Sequence, residues 1–231
     1  MRVESVVTEA PGVVSITVKG HRLDKMKTAS GQFFIWRFLD GPGWSRGNPY
    51  TLSAAPTHDR LRITIKAAGD GSERAVQLTP GTRVLIEGPY GTLTARRRTQ
   101  PRMLLIAAGI GITPMRALLE DTPYAPGEAT LIYRYSEAQH AVFVDELHAI
   151  AARRGVELIF LPGPRRADTS WQAAGPAHLD DDAQVLKDIV PDLAHRDIYV
   201  CGPPDRITAV RKAARGAGAH RDNVHTEEFA W

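Results

Sequence analysis

The sequence is poor in cysteine, because Cys201 is the only one among 231 residues. A single thiol cannot form an intramolecular disulfide, and no cysteine cluster is present that could hold an iron–sulfur centre or zinc. The eight histidines are scattered without the spacing of metal ligands, so no metal site is predicted. This cysteine usage fits a reducing compartment, and we expect a cytoplasmic protein.

Long apolar runs and concentrated charge are also scarce. No run of about 18 apolar residues is present, so no transmembrane segment is predicted. The first residues read as a strand and do not resemble a signal peptide. The net charge is only +3, and we interpret the densest basic run, 96–98, as a solvated linker. Without a clustered basic face and base-stacking aromatics, no nucleic-acid partner is expected, whereas attraction to an acidic partner or anionic lipid stays open.

The first half of the chain consists of short apolar or alternating segments separated by turns. This pattern is typical of antiparallel strands, and it predicts an antiparallel barrel. Only one short helix, over residues 73–78, is predicted in this half. The clearest predicted strands cover 13–18, 32–39, 60–66 and 83–87.

The second half alternates strand-like and helix-like segments, which predicts a parallel sheet covered by helices on both faces. The boundary falls in the polar, basic segment 96–101, and we divide the chain into domains 1–97 and 98–231. The segment 163–182 is rich in Pro, Gly, Ala and Asp and predicts a surface loop or irregular connection. The predicted strands cover 103–108, 129–135, 156–161, 198–201 and 224–229, and the predicted helices cover 113–120, 141–154 and 205–214.

A glycine turn follows the first strand of the second half. The apolar run ends in Gly109 and Gly111, and Thr113 and Pro114 then open a predicted helix. Glycines permit a tight turn close to a ligand, and a helix start offers N–H groups and a positive dipole to a pyrophosphate. For this turn taken alone, a plain strand-to-helix connection is the alternative. Proline at 114, where the usual dinucleotide fingerprint has glycine, indicates a family other than the usual Rossmann dehydrogenases.

Four motifs in a fixed order narrow the family. They are Asn-Pro-Tyr-Thr-Leu-Ser at 48–53, Lys-Ala-Ala-Gly-Asp-Gly-Ser at 66–72, the glycine turn at 109–114, and Cys-Gly-Pro-Pro at 201–204. In this order and spacing the chain resembles the ferredoxin–NADP reductase superfamily over nearly its whole length. The segment 48–53 and the aromatic-bearing ending look most like the flavin dehydrogenase domain of ferric reductases and NADPH oxidases. The resemblance implies a flavin-binding antiparallel β-barrel followed by a parallel-sheet α/β nucleotide-binding domain.

The resemblance assigns roles to residues of the predicted barrel. It implies that Tyr50 stacks on the flavin and that the Thr51 hydroxyl lies near flavin N5, roles for which an aromatic face and a hydroxyl are suited. It also implies that Gly71 and Ser72 offer backbone N–H groups to the FAD pyrophosphate from the short helix. The other barrel residues predicted to contact FAD are Asn48, Pro49, Ser53, Ile65 and Lys66.

In the second domain, the resemblance implies a site for the nicotinamide nucleotide. Cys201, Gly202 and Pro203 are implied to lie where the nicotinamide meets the flavin, with Cys201 shaping the hydride-transfer site rather than acting as a nucleophile. The residues of the glycine turn implied to hold the nucleotide are Gly109, Gly111, Thr113 and Pro114.

The carboxyl-terminal residues complete the site that the resemblance implies. Glu228, Phe229 and Trp231 are implied to approach the other face of the flavin and to control access of the nicotinamide. The predicted catalytic residues are therefore Thr51, Cys201, Glu228 and Phe229.

One position departs from the pattern of the superfamily. Many members have an arginine two residues before the stacking tyrosine, where it pairs with the FAD phosphates, and this chain has Asn48. Arg46 lies two residues earlier, and whether it substitutes stays open. An amide donates a hydrogen bond without a charge, so the departure predicts specific but weak FAD binding.

The choice between NADPH and NADH depends on contacts to the 2′-phosphate. Arg134 and Ser136 follow the second predicted parallel strand, where members of the superfamily often read this group, and Arg165 and Arg166 follow the third. Positive charge at these positions favours NADPH. The alternative is that these arginines only solvate strand ends, in which case NADH stays open.

The resemblance implies an FAD-dependent NAD(P)H oxidoreductase, in which a hydride passes to the flavin and electrons then leave singly to an acceptor. Ferric iron, ferredoxin, free flavin, oxygen and haem all stay open as acceptors. Ferric reductases and NADPH oxidases carry a haem-binding transmembrane part before the flavin domain. The chain is therefore either a free reductase or the dehydrogenase portion of a membrane protein, on its cytoplasmic face, and the start at Met1 favours the second.

Two other functions also fit the same pattern. The chain could be a flavin or nucleotide module that transfers electrons or senses redox state only within a complex. It could also be an α/β protein that binds a different phosphate ligand without a flavin.

Overall fold

The computed structural model describes residues 1–41, 44–164, 166, 170–174 and 181–228. The first half forms a six-stranded sheet in the order β4-β3-β6-β1-β2-β5, with every strand pairing antiparallel. A bridge between Leu52, just after β4, and Ile63 of β5 joins the two edge strands, so the sheet closes as the predicted barrel. The strands are β1 (Arg2–Ala10), β2 (Val13–Lys19), β3 (Phe33–Leu39), β4 (Asn48–Thr51), β5 (Arg60–Lys66) and β6 (Arg83–Tyr90).

The side chains that fill the interior of the barrel come from alternate positions along its strands. On β3, the buried Phe34, Trp36 and Phe38 alternate with less buried neighbours, because successive strand residues point to opposite faces. The indole nitrogen of Trp36 donates a hydrogen bond to the carbonyl of Tyr50 at 3.0 Å. The core thereby fixes β4, the strand that carries the first predicted flavin motif.

The helix of the barrel, α1 (Asp70–Ala75), starts earlier than the predicted 73–78 and ends earlier. The carbonyl of Gly69 accepts hydrogen bonds from the N–H groups of Ser72 and Glu73, both at 2.9 Å. The Ser72 hydroxyl also donates to this carbonyl at 2.8 Å. The helix therefore begins at the glycine–serine turn, before the acidic and apolar residues that suggested its position.

The second half forms a five-stranded, wholly parallel sheet in the order β11-β10-β7-β8-β9, which confirms the predicted α/β architecture. One apolar core includes residues of α2 and α3, and another includes residues of α4 and α5. The strands are β7 (Arg102–Ala108), β8 (Ala129–Tyr135), β9 (Glu157–Pro162), β10 (Arg196–Gly202) and β11 (Val224–Glu228). The helices are α2 (Ile112–Asp121), α3 (Val144–Arg154), α4 (Asp182–Ile189) and α5 (Pro204–Gly216).

Two helices differ from the sequence prediction. The helix α4 was not predicted, and it follows the segment 163–182 with the Asp181 side chain accepting a hydrogen bond from the Ala183 N–H. The helix α3 begins at Val144 rather than 141, because Phe143 adopts a left-handed conformation with φ of 63° that interrupts the helix. Burial of the Phe143 ring in the core accompanies this conformation.

The two halves share a core. Ala10, Val13 and Leu93 from the first half pack in the same apolar cluster as Met115 and Leu118 of α2. This contact holds the barrel against the face of the second sheet that α2 covers. Among the described residues, no helix combines the length and the apolar character needed to cross a membrane.

Gly31 lies at this junction, and a substitution there tests the packing between the two halves. Its φ is +88°, and a Cβ there would lie 1.9 Å from the carbonyl oxygen of Leu93. Gly31→Ala combines backbone strain with a clash, so we expect the free energy of unfolding to fall by about 3–5 kcal/mol. Urea-induced unfolding followed by tryptophan fluorescence measures this loss.

Gly81→Ala is the matched control, because Gly81 has a φ of +93° and a Cβ added there would meet no atom within 4 Å. It carries the strain without the clash, and we expect a loss of about 1–2 kcal/mol. Equal losses in the two variants would contradict the close approach of Gly31 to Leu93.

Candidate functional site

Two clefts open where the barrel meets the second sheet. The first, which we call the barrel cleft, has a volume of about 630 Å³ and lies along β4, β5 and the start of α1. The second, the sheet-edge cleft, has a volume of about 430 Å³ and lies at the carboxyl ends of β7 and β8. Lys66, Ala68 and Ile110 line both clefts. Ligands in the two clefts would therefore meet at these three residues.

The barrel cleft contains most residues of the first two predicted motifs. Tyr50 is half-buried on its wall, and burial raises the pKa of its hydroxyl to about 12. An aromatic ring in this position offers a neutral, flat surface to a ligand. The predicted residues that line this cleft are Asn48, Pro49, Tyr50, Thr51, Ile65, Lys66, Gly71, Ser72, Thr113 and Glu228.

Asn48 lies against the turn that starts α1. A Cβ at Gly71 would lie 2.8 Å from the side-chain oxygen of Asn48, so glycine is needed there for the amide to approach. The N–H and hydroxyl of Ser72 both donate to the carbonyl of Gly69. Ser72 therefore uses its donors within the turn, and the Asn48 amide is a polar group beside it.

Glu227 is a residue of this site that the sequence reasoning missed. Its carboxyl group lines the barrel cleft, near the Thr51 side chain and the backbone of Leu93. Burial raises its pKa to about 7, and the polar influence of these two groups limits the rise. A carboxyl group with this pKa can hold or release a proton near neutral pH.

The pairing of β10 with β11 places Glu227 beside Cys201. Cys201 is buried, and burial followed by the charge of Glu227 raises the pKa of its thiol well above the ordinary value. The thiol is therefore protonated at neutral pH, which agrees with a shaping role rather than a nucleophilic one. Glu228, the neighbour that the sequence reasoning chose, is exposed at the rim of the cleft. The alternation of faces in a strand was the only signal that separated the two glutamates.

The glycine turn forms the junction of β7, α2 and the sheet-edge cleft. Gly109 lines this cleft with a φ of +55° and no atom near a Cβ position. Gly111 lies beneath it, where a Cβ would be 2.2 Å from the carbonyl oxygen of Cys201. The first glycine thus leaves the backbone open to a ligand, and the second permits contact with β10. Pro114 is buried within α2.

At the end of β10, Gly202 separates Cys201 from the sheet-edge cleft. A Cβ on Gly202 would lie 2.9 Å from the Cβ of Ala108, so this glycine lets β10 end close to β7. Pro203 follows it and lines the sheet-edge cleft.

Arg134 forms part of the wall of the sheet-edge cleft rather than a free basic group. Its guanidinium donates to the carbonyls of Tyr135 at 2.6 Å, Leu161 at 3.1 Å and Pro164 at 2.8 Å. The side chain is buried, and burial lowers its pKa. Its Nε is buried without a hydrogen-bond partner among the described residues. Arg134 therefore holds the ends of β8 and β9 together.

The charge of the sheet-edge cleft favours an anion. Lys66, Arg134, His140 and Arg206 line it together with Ser136, and no carboxylate is among the described residues of its lining. Basic side chains and hydroxyls are groups that bind phosphate.

Several predicted residues are not in either cleft. Ser53 is fully buried in the barrel, where its hydroxyl accepts hydrogen bonds from Thr64 at 2.8 Å and from Arg62 at 3.2 Å. Its predicted contact with FAD stays a prediction. Arg165, Phe229 and Trp231 lie outside the described residues. Within the described part of the chain, no group of three or more His, Cys, Asp or Glu converges as a metal site.

Comparisons with known proteins agree with this arrangement. The family described as oxidoreductase NAD-binding domain matches residues 105–212. The ferredoxin reductase component of 3-ketosteroid-9-alpha-monooxygenase from Mycolicibacterium smegmatis is 29% identical over 211 residues, which are 89% of this chain and 57% of that protein. Ferredoxin–NADP reductase B from Sorangium cellulosum is 29% identical over 198 residues, which are 81% of this chain and 80% of that protein. Three of the curated relatives, the Mycolicibacterium smegmatis protein among them, are longer than this chain, which spans 57%, 46% and 64% of their lengths.

Solved structures share the fold. The flavohem-like FAD/NAD-binding domain of nitric oxide dioxygenase from Vibrio cholerae superimposes with a TM-score of 0.75 at 24% identity, covering 98% of this chain and 96% of that one. A ferredoxin–NADP⁺ reductase from Neisseria gonorrhoeae with bound FAD and NADP gives a TM-score of 0.73 at 19% identity, covering 99% and 96%. The resemblance and the two-part architecture predicted from the motifs are therefore confirmed.

The raised pKa of Glu227 makes stability depend on pH. Between pH 4.5, the ordinary pKa of the group, and about pH 7, the folded chain keeps a proton that the unfolded chain releases. The free energy of unfolding therefore falls as the pH rises through this window. Glu227→Gln removes this dependence, so we expect the wild type to lose stability relative to the variant from about pH 4.5 to about pH 7 in urea unfolding.

Glu228→Gln is the control, because it changes the neighbouring exposed carboxylate. Its pH profile should follow that of the wild type. Parallel profiles for the wild type and Glu227→Gln would show that the Glu227 carboxyl is not perturbed in the folded chain.

Proposed function

We propose that this chain, which has the ferredoxin–NADP reductase architecture, is an FAD-dependent NAD(P)H oxidoreductase. The observation that carries the proposal is the junction of the two clefts at Lys66, Ala68 and Ile110. A flavin in the barrel cleft and a nicotinamide nucleotide in the sheet-edge cleft would meet there. Such contact is what direct hydride transfer requires, since the reacting atoms must approach to about 3–3.5 Å.

The residues of the barrel cleft fit FAD. Its volume of about 630 Å³ lies in the range of small-molecule sites, which is roughly 300–1,000 Å³. Tyr50 supplies an aromatic surface for the flavin ring, and the Asn48 amide at the turn before α1 supplies a polar contact for the pyrophosphate. FAD supplies hydride acceptance from the nicotinamide and release of single electrons. An amide instead of an arginine at position 48 supports the proposal that FAD binds specifically but weakly.

In this proposal, side chains of the protein bind and release protons and orient the ligands. Thr51 carries a hydroxyl that both donates and accepts hydrogen bonds, and it lies near the Glu227 carboxyl. With a pKa of about 7, Glu227 can take up a proton from solvent or release one to it near neutral pH. Cys201 stays a neutral, buried thiol beside Glu227. The predicted roles of Phe229 and Trp231 at the flavin remain proposals.

The sheet-edge cleft supports NADPH as the coenzyme. Gly109 leaves room for the pyrophosphate, and the cations of this cleft with Ser136 suit an additional phosphate. The other predicted donor, Arg165, lies outside the described residues, and its contact with the phosphate is part of the proposal.

For the electron acceptor we propose first a broad class of partner and then narrower candidates. Relatives are named as a monooxygenase ferredoxin reductase component, a toluate dioxygenase electron transfer component and flavohemoproteins, which supports transfer to an iron–sulfur or haem partner. Ferric iron, oxygen and the haem of a membrane protein, as in ferric reductases and NADPH oxidases, are the narrower candidates. A cytoplasmic location and a domain division at 97/98, between β6 and β7, belong to the same proposal.

A partner-dependent electron-transfer module is the second candidate. The chain spans about half to two thirds of the length of several relatives, so further parts could be required for turnover. Steady oxidation of NADPH by the isolated chain with ferricyanide would favour the first candidate, and its absence would favour the second.

Reconstitution with FAD tests the proposed function, and Tyr50 provides the critical variant. The chain with FAD should show a bound-flavin spectrum that anaerobic NADPH bleaches. Tyr50→Ala removes the ring from the cleft wall, and we expect FAD affinity to fall on the order of tenfold, the equivalent of about 1.4 kcal/mol. Fluorescence titration of FAD measures this change.

Tyr50→Phe keeps the ring and should retain nearly wild-type affinity, which makes it the matched control. An unchanged FAD affinity and spectrum in Tyr50→Ala would contradict stacking. A chain that binds no FAD would contradict the proposed function itself.

The coenzyme proposal is tested at Ser136. Ser136→Asp places a negative charge in the sheet-edge cleft, where it would repel the 2′-phosphate. We expect kcat/KM for NADPH to fall on the order of tenfold and that for NADH to change by less than about twofold. Ser136→Ala, which removes the hydroxyl without adding charge, is the control. Equal losses for NADPH and NADH in Ser136→Asp would contradict this site for the phosphate.

A further inference from the structure

A network of ion pairs connects the barrel to the helices of the second sheet. We call it the interdomain network and define it by Arg62 of β5, Arg116 and Glu120 of α2, and Glu146 of α3. Arg62 donates to both carboxylate oxygens of Glu146, at 2.9 and 3.0 Å. Arg116 donates to the same carboxylate at 2.7 Å and forms a bidentate pair with Glu120. Each charged group of the network thus contacts at least one opposite charge.

The barrel end of the network holds the segment that follows Thr51. Arg62 donates to the carbonyl of Ser53 at 2.9 Å and to its hydroxyl at 3.2 Å. The N–H of Ala55 donates to Glu120 at 2.7 Å. The chain from Ser53 to Ala55 is therefore bound both to β5 and to α2. It continues directly from Thr51 on the wall of the barrel cleft, so the network adds a second tie beside the pairing of Thr51 with Phe33.

The other end of the network holds the element that follows the glycine turn. Arg116 and Glu120 lie on α2, which starts directly after Gly111. The interdomain network therefore connects the segment that follows the barrel-cleft wall to α2, the helix that follows the glycine turn.

Burial and charge make this network well defined. The side chains of Arg116 and Arg62 are only 8% and 18% exposed. Burial opposes the ionisation of Glu146, but hydrogen bonds and charge from Arg62 and Arg116 outweigh it, and the pKa of Glu146 is lowered. Arg62 also lies over the ring of Phe143, 5.0 Å from its centroid. The ion pairs therefore stay formed near neutral pH and allow few alternative geometries.

We propose that Arg62, Arg116 and Glu146 are positioning residues that set the separation between the barrel cleft and the nucleotide turn, and thereby the rate of hydride transfer. The inference rests on the proposed function. Apolar contacts such as Val13 and Leu93 against α2 resist separation of the domains but allow sliding, because the hydrophobic effect has no direction. The directional contacts of the network fix the register instead. A misplacement of about 1 Å between reacting groups can cost on the order of 10²-fold in rate.

The test compares wild type, Glu146→Gln and Arg62→Lys after loading with FAD. Stopped-flow bleaching by saturating anaerobic NADPH gives the limiting rate of flavin reduction, and titrations give the affinities for FAD and NADPH. Amide hydrogen exchange at Ala55, measured with and without FAD, reports the network independently of activity. We expect Glu146→Gln to lower the limiting rate on the order of tenfold, to leave both affinities within about twofold, and to speed exchange at Ala55.

The remaining variants separate positioning from general destabilisation. Arg62→Lys retains the charge but not the bidentate contact, so its rate should lie between those of wild type and Glu146→Gln. Glu4→Gln is the matched control, because Glu4 pairs with Arg60 on the barrel surface, and its rate should equal that of wild type. If Glu146→Gln does not fold, Arg62→Lys is judged by the same criteria.

Two results overturn the inference. One is faster exchange at Ala55 with an unchanged rate of flavin reduction. The other is a loss confined to NADPH affinity, which would make the network a binding element only. A wild-type chain that binds FAD but is not bleached by NADPH contradicts the proposed function, and with it this inference.

Discussion

The burial of α2 between the barrel and the second sheet is the contact on which the site depends. Eight of its residues, from Ile112 to Leu119, are buried, and its apolar side packs with barrel residues such as Val13 and Leu93. It begins at the glycine turn and ends at Asp121, which accepts a hydrogen bond from Ser30 of the barrel at 2.9 Å. A helix fixed at both ends transmits the position of one cleft to the other.

Burial of charged and polar groups gives each cleft its chemistry. In the barrel cleft, the Glu227 carboxyl lacks a cationic partner among the described residues and responds to burial with a raised pKa. In the sheet-edge cleft, backbone carbonyls hold the Arg134 guanidinium in the wall beside Lys66 and Ser136. The first arrangement suits proton exchange near neutral pH, and the second suits an anionic ligand. Burial of an ionisable side chain thus has a different consequence in each of the two clefts.

Local patterns were enough to predict most of the fold. Strict alternation defined the strand over residues 60–66 to the residue, because a half-buried strand repeats every two residues. The helix α4 was not predicted, because the Pro- and Gly-rich segment before it was interpreted as a loop that included its N-cap residue, Asp181. Ordered motifs identified the barrel cleft and the nucleotide turn. They did not separate Glu227 from Glu228, and they did not show that Ser53 bonds to Arg62, since both depend on contacts between distant segments.

In the proposed function, the two clefts bring flavin and nicotinamide into direct contact. Anaerobic bleaching of the FAD-loaded chain by NADPH deuterated at C4, in each of its two stereochemical forms, tests it most directly. A hydride passed directly between the two rings predicts slower bleaching with one of the deuterated forms and an unchanged rate with the other. Equal rates with both forms and with undeuterated NADPH, or no bleaching of a bound flavin, would contradict the account.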